Sequence, residues 1–396
     1  MTIYFAFLAV LLLAAAAEFT AGQRGLPYQL SLGVTTIFVA GRFETGNDWL
    51  SYREIYTSLP GLADLSFSDL VAYSAVLGKE PGYLLLNVVL KTLTSDFYAV
   101  TCTCACFQIW SLNRFLKTVT HYRATVLAIS VGWLLFSVYF SVIRQGVAIA
   151  FFLLFILAWC DGRRWTGLLL ALLGTAFHVT VIIYLAIFFL ARTVQLKSAW
   201  SISFCAAYGW ALASIVFDVT LSGLLLQPLT NLPIELIASK ITYYIGERSS
   251  AGNFSTSSID VAYVLIASPT IFSILNRMRP GSMSPIEKAM LGFSVIAILW
   301  QLLFINETVL RNRVMYVAYT FQFILITHWI ASKGLQAKVI YIAAVASVYA
   351  LFYGMFLGAP YSKTFVPYQS AFGHYVLGEQ STGETRTREV LRDVYK

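Results

Sequence analysis

A few charged residues interrupt a chain that is otherwise almost wholly apolar, and they fall in short motifs. These are Arg42 through Asp48, Glu80-Pro81-Gly82-Tyr83, Ile143-Arg144-Gln145, Phe177-His178 and Arg311-Asn312-Arg313. Their types suit one kind of chemistry. Arginine offers a planar fork of donors that matches phosphate oxygens and keeps its charge. Carboxylates and a histidine can take the proton of a hydroxyl nucleophile. A charge at the bilayer centre costs about 2.5–3.5 kcal/mol on insertion scales. Ionisable groups within or beside apolar spans therefore mark a site, and several on one side point to an anionic ligand.

Each motif also has a plainer reading. Arg144 sits between two apolar runs with Gln145 and Gly146 beside it. It can bind phosphate, or snorkel to the headgroups from a helix end. Arg311 and Arg313 precede a span, with Tyr316 one turn on; they can clamp a diphosphate or anchor to anionic lipid. In the loop from Arg42 to Asp48, Asp48 is a candidate general base for a sugar hydroxyl or a partner for Arg42. The alternative is a solvated acidic loop, since Glu44, Glu54, Asp64 and Asp69 are near. Glu80 opens a short helix before Pro81, where a carboxylate is favoured by the dipole; it is a cap or an acid/base group, with Tyr83 a turn away. His178 lies deep in an apolar stretch, as a general base, a phosphate partner or a hydrogen-bonded bundle histidine. No HExxH pattern or carboxylate cluster suggests a metal.

The elements that must position these residues are membrane spans. Of 396 residues, 58% are hydrophobic and 12% charged, against roughly 25% charged in soluble domains. Spans are expected at about 3–19, 26–41, 97–113, 124–142, 146–160, 166–191, 199–217, 259–276, 289–305, 314–331 and 338–357. The piece from Pro81 to Leu93 reaches only about 20 Å and reads as re-entrant or interfacial. The fold expected is an all-α polytopic membrane protein with roughly 11–13 transmembrane helices. Residues 1–358 form one membrane domain, with an outer loop at 41–96 and a second at 218–258, read as a lid or an inert connector. A polar tail at 359–396 reads as surface or disordered.

Loop charge sets sidedness. Basic loops at Asp161–Arg164 and Asn276–Arg279 are expected in the cytoplasm, which leaves the motif loops outside if 166–191 bends back near His178. The net charge of +8 is then topology charge, and no nucleic acid is expected. No Walker loop or dinucleotide fingerprint is present. Cys102, Cys104, Cys106, Cys160 and Cys205 read as packing residues.

In this order the motifs resemble the EpsG/Wzy-type polysaccharide polymerases, over residues 26 to about 320: Arg42 with Gly46-Asn47-Asp48, Glu80-Pro81-Gly82-Tyr83, Ile143-Arg144-Gln145, Phe177-His178 and the late arginine-rich loop. The resemblance implies a GT-C-like glycosyltransferase of the bacterial inner membrane, needing no cofactor or metal. It would join polyprenyl-diphosphate-linked oligosaccharide repeats at the periplasmic or outer face, beside membrane lipid. A flippase and a chain-length regulator are implied partners. Arg42, Tyr83, Arg144, Gln145, Arg311, Arg313 and Tyr316 would hold the diphosphate and sugar; Asp48, Glu80 and His178 are the candidate bases. A ligase using the same lipid carrier shares nearly all this chemistry. A lipid-oligosaccharide flippase would instead predict internal repeats and charge on both sides, and the sequence shows neither.

Overall fold

A computed structural model of the chain describes residues 1–22, 25–193, 199–217, 221, 267–271, 273–274 and 283–394. Most of the expected span at 259–276, the loop at 218–258 and the basic loop at 276–279 lie outside the described residues. The apolar runs are wound into helices, and the described residues hold no strand, as expected of an all-α polytopic membrane protein. The helices are α1 (Thr2–Phe19), α2 (Gly25–Ala40), α3 (Trp49–Ser58), α4 (Phe67–Leu77), α5 (Pro81–Leu93), α6 (Tyr98–Val119), α7 (Arg123–Leu134) and α8 (Ile143–Cys160). They continue with α9 (Arg164–Phe177), α10 (Thr180–Thr193), α11 (Ala199–Phe217), α12 (Pro285–Leu303), α13 (Thr308–Ala331), α14 (Leu335–Gly358), α15 (Ala371–Tyr375) and α16 (Gly383–Val394).

Five of these, α1, α8, α12, α13 and α14, are long and apolar enough to cross a membrane. The expected 166–191 stretch is two helices broken at His178, whose backbone is extended (φ −161°, ψ 125°). The helix expected at 81–93 has those bounds. α7 ends in a π-helical turn, Leu135–Tyr139, and Ser141 Oγ closes it by donating to the Phe136 carbonyl at 2.7 Å.

The chain divides into two compact units, Met1–Ile182 with Thr327–Lys396, and Ile183–Ile326. In the first unit, buried Tyr52, Ile55 and Tyr56 of α3, Leu70 of α4 and Tyr83, Leu84 and Val88 of α5 pack on Val100 and Cys104 of α6 and Ile143 and Val147 of α8. The 41–96 region is thus a set of short helices seated on two long ones. Gly82 makes one close approach possible, since a Cβ there would stand 2.7 Å from the Ala176 carbonyl oxygen. Gly46 makes another, with φ +124°.

At the other end of α1, Glu18 accepts from the backbone N–H groups of Ala124 (3.0 Å) and Thr125 (2.8 Å) and from the Thr125 hydroxyl (2.9 Å). These are first-turn amides of α7, so one helix caps another.

The 359–396 segment, expected to be surface or disordered, is largely exposed over its described residues and carries α15 and α16. Tyr368 stacks on Phe38 (4.5 Å, 9°) and donates to its carbonyl at 2.8 Å, while Tyr4 donates to the carbonyl of fully buried Phe365 at 2.6 Å. Ala371 N–H donates to the Gly41 carbonyl and Phe43 N–H to that of Gln369. From α16, Thr387 accepts from Trp49 Nε1 at 3.0 Å, and Glu384 meets Arg53 at 2.6 Å. Aromatic docking and backbone pairing, which local composition does not reveal, fasten this segment to the 41–58 region.

Candidate functional site

The first turn of α8 projects Arg144. Its start is tightly seated because Gly146 lets Gln108 of α6 approach: a Cβ there would stand 2.7 Å from the Gln108 amide nitrogen. Gln145, next to Arg144, is fully buried. The Arg144 guanidinium is half-buried, lies 5.8 Å over the Tyr52 ring and 5.9 Å over the Tyr83 ring, and forms an ion pair with Glu80. Two aromatic faces and a carboxylate hold the fork in place. Arg144 Nε, buried, has no hydrogen-bond partner among the described residues, and neither has the Tyr83 hydroxyl.

Glu80 occupies the N-cap position of α5, yet its carboxylate makes no cap bond to that helix. One oxygen meets Arg144, and the other accepts from the Val179 N–H at 3.4 Å. The carboxylate therefore links α8, α5 and the break between α9 and α10. His178, in that break, is buried, and its Nδ1 accepts from the Thr180 N–H at 3.3 Å with the Thr180 hydroxyl at 3.1 Å. An accepting Nδ1 assigns the proton of the neutral ring to Nε2.

Asp48 stands at the N-cap of α3, also without a side-chain cap bond. Lys79, in the turn before α5, falls within electrostatic reach of Arg144, Asp48 and Glu80. Burial and then Arg144 pull its ammonium below the ordinary lysine value, against the opposing pull of Asp48 and Glu80. Sequence reading singled out neither Lys79 nor Tyr52. A lysine in a polar turn reads as solvated, and only its neighbour Glu80 carried a signal. Tyr52 lies four residues after Asp48, one helical turn, which is the cue that could have found it.

The other candidates have different surroundings. Arg42 is 2% exposed, donates to the Val39 carbonyl at 2.9 Å and lies 5.0 Å from the Phe140 ring centre. Burial pushes its pKa down to about 10, so it stays charged at neutral pH. A pocket beside it is lined by Phe43, Trp49 and Asp96 among others.

Arg311, Arg313 and Tyr316 belong to the second unit, on the first turns of α13. Arg311 is 1% exposed and donates to the Ile305 carbonyl at 2.7 Å. Arg313 and Tyr316, three residues apart and half-buried, share a helix face. Its neighbour Tyr184 donates to the Arg313 carbonyl at 2.7 Å.

Within the first unit, then, Glu80, Tyr83, Arg144 and the His178 break converge. Half-buried cations beside aromatic faces can hold an anion with several oxygens, and the neighbouring carboxylates can take a proton. Among the described residues, no three His, Cys, Asp or Glu side chains gather to hold a metal ion.

A model of the EpsG family matches residues 26–370, which include every motif described above. No curated protein and no solved structure matches the chain.

Proposed function

The chain belongs to the EpsG family, of polysaccharide polymerase type, and spans a membrane several times; from this we propose a glycosyltransferase that polymerises polyprenyl-diphosphate-linked oligosaccharide repeats. The observation that carries the reading is the Arg144 fork, half-buried, held by Glu80 and two tyrosine rings, with a buried donor still unsatisfied.

In the step, a hydroxyl of the incoming lipid-linked unit attacks the anomeric carbon of the growing chain. The bond from that carbon to the diphosphate oxygen breaks, its electron pair stays on the diphosphate, and the hydroxyl proton passes to a base. Arg144 holds the leaving diphosphate and stabilises its developing charge. Glu80 keeps the guanidinium aimed. His178, with Nδ1 already accepting, acts as a donor from Nε2 toward a phosphate or sugar oxygen. Asp48, Glu80 and His178 are the candidate bases for that proton. Tyr83 donates through its hydroxyl, and Gln145 supports the first turn of α8. Arg42, and in the second unit Arg311, brace backbone carbonyls.

The site faces the periplasm or outside of a bacterial inner membrane, where a flippase delivers substrate and a regulator sets chain length. Incubating purified protein with a lipid-diphosphate oligosaccharide repeat, with and without chelator, tests this. A ladder of multiples in both lanes is the expected product. A ladder that chelator abolishes overturns metal independence, and a single-step product on another acceptor overturns polymerisation in favour of a ligase.

A further inference from the structure

An open cleft of about 870 Å³ lies between α16 and the loop that leads into α3, a volume in the range of ligand sites. Thr385, Arg388, Glu389 and Arg392 line it from α16. Their spacing of three, four and seven residues puts them on one face of that helix. Another face is the docked one. Thr387 accepts from Trp49, and Gly383 lies so close to Glu44 that a Cβ there would stand 2.5 Å from the Glu44 carbonyl oxygen. Small residues thus seat α16, and its longer polar side chains are left to the cleft.

The opposite wall carries Glu44 and His374. Glu44 has φ +44°, a left-handed backbone uncommon away from glycine, and Arg53 (2.9 Å) and Ser381 both donate to its carboxylate. His374 stacks on Phe43 (4.1 Å, 15°), and exposed Tyr375 meets the same ring at 5.5 Å. Three carboxylates, of Glu44, Glu384 and Glu389, accompany the guanidiniums of Arg388 and Arg392, and Arg388 already pairs with Glu384 at 2.9 Å. Charge in the cleft therefore nearly cancels, which disfavours an anion and leaves donors and acceptors side by side. Such a lining, with aromatic rings at its edge, suits a ligand of many neutral hydroxyls.

Two further observations tie the cleft to the Arg144 site. First, α3 is a wall common to both. Its Tyr52 ring lies 5.8 Å from the Arg144 guanidinium, while Arg53, the next residue, pairs with Glu44 and with Glu384 of the cleft. A helix is about 10–12 Å across, so an oligosaccharide whose diphosphate end is at Arg144 has its further rings within reach of the cleft. Second, the family match ends at residue 370. Arg144 and Glu80 lie inside the matched stretch, whereas α16 lies beyond it, in a part of the chain free to differ from its relatives.

We propose that this cleft is a saccharide subsite, which binds the sugars distal to the diphosphate and selects this chain's own repeat through α16. This rests on the polymerase reading above.

The test uses the full chain in detergent: wild type, Thr385→Trp, which fills the cleft from an exposed position, and Glu389→Ala, which removes one acceptor of the lining. The probes are lipid-free oligosaccharides of three repeats, cut from the polysaccharide that the native cell exports, dextran fragments of the same length, and polyprenyl diphosphate without sugar. Wild type is expected to bind the native oligosaccharide and to bind dextran more weakly. Affinity should fall about tenfold in Thr385→Trp and about fivefold in Glu389→Ala, the scale of one or two lost hydrogen bonds. The KM for the lipid-linked repeat should rise by the same factors, with carrier binding and melting temperature unchanged. A merely structural α16 would move melting temperature and carrier binding as well. Wild-type affinity in folded Thr385→Trp overturns the subsite, as does equal binding of dextran by wild type. Should Thr385→Trp not fold, Glu389→Ala decides by the same comparison. A wild type that forms a ladder but binds no lipid-free oligosaccharide sinks the subsite alone. One that binds the oligosaccharide through the cleft and forms no ladder sinks the polymerase reading instead, so the two failures are distinguishable.

Discussion

Two carboxylates of the first unit, buried Glu18 and half-buried Glu80, differ in how completely the fold satisfies them. Glu18, 1% exposed, receives two backbone N–H groups and one hydroxyl, all of them from the start of α7. Every neighbour it has is a fixed part of the fold, and the contact is complete. Glu80, whose side chain is 20% exposed, faces a guanidinium and one long backbone contact, beside donors that have no acceptor. A satisfied buried charge is architecture. A half-satisfied one, beside a guanidinium and a tyrosine hydroxyl, is a candidate for binding.

Substitutions can break or sharpen that contrast. The largest effect belongs to Arg144→Lys, which keeps the charge and loses the fork. We expect activity to fall about a hundredfold, as when one transition-state donor is removed, in protein of unchanged melting temperature. Next comes Glu18→Ala, which strands two first-turn amides of α7 and should cost about 1–3 kcal/mol, read from thermal unfolding in detergent. Activity per folded molecule should stay at the wild-type level. A Glu18 variant that lost activity without losing stability would erase the distinction between the two carboxylates. Tyr83→Phe sharpens it further: the hydroxyl has no partner among the described residues, so stability should hold or rise slightly while kcat/KM drops several-fold. Loss of stability without loss of kcat/KM would make that hydroxyl structural.

The smallest effect concerns the tail. Hydrogen bonds from Arg53 and then Arg388 hold Glu384 below its ordinary value of 4.5. A depressed carboxylate contributes above its unfolded value and loses that contribution as pH falls through the folded one. Amide exchange in residues 371–394 should therefore quicken as pH drops below 4.5, after correction for intrinsic rates, with α8 unaffected. An Arg53→Gln variant should show faster exchange already at neutral pH.

The helices were legible because apolar length and a few interruptions specify them. The short helix at Pro81–Leu93 was bounded by its own proline and by the polar residues after it, and a lone histidine marked the break at His178. The site was legible only as a set of suspects. Glu80 before a proline reads equally as a cap, and its true partner lies 64 residues away in Arg144. Arg311 and Arg313 could not be told apart, because which of them turns inward depends on the phase of α13 against its packing. Lys79 was silent because a lysine in a turn resembles any surface lysine. The docking of the tail was silent for the same reason: Tyr368 meets Phe38 across the whole chain, and nothing local to either residue announces it.

The central claim is that the Arg144 fork, held by Glu80, binds the diphosphate of a lipid-linked repeat. The most direct measurement is the product ladder from purified wild type, Arg144→Lys and Glu18→Ala with one lipid-diphosphate repeat, normalised to folded protein. The account predicts ladders from wild type and Glu18→Ala and almost none from Arg144→Lys. A full ladder from well-folded Arg144→Lys would contradict it.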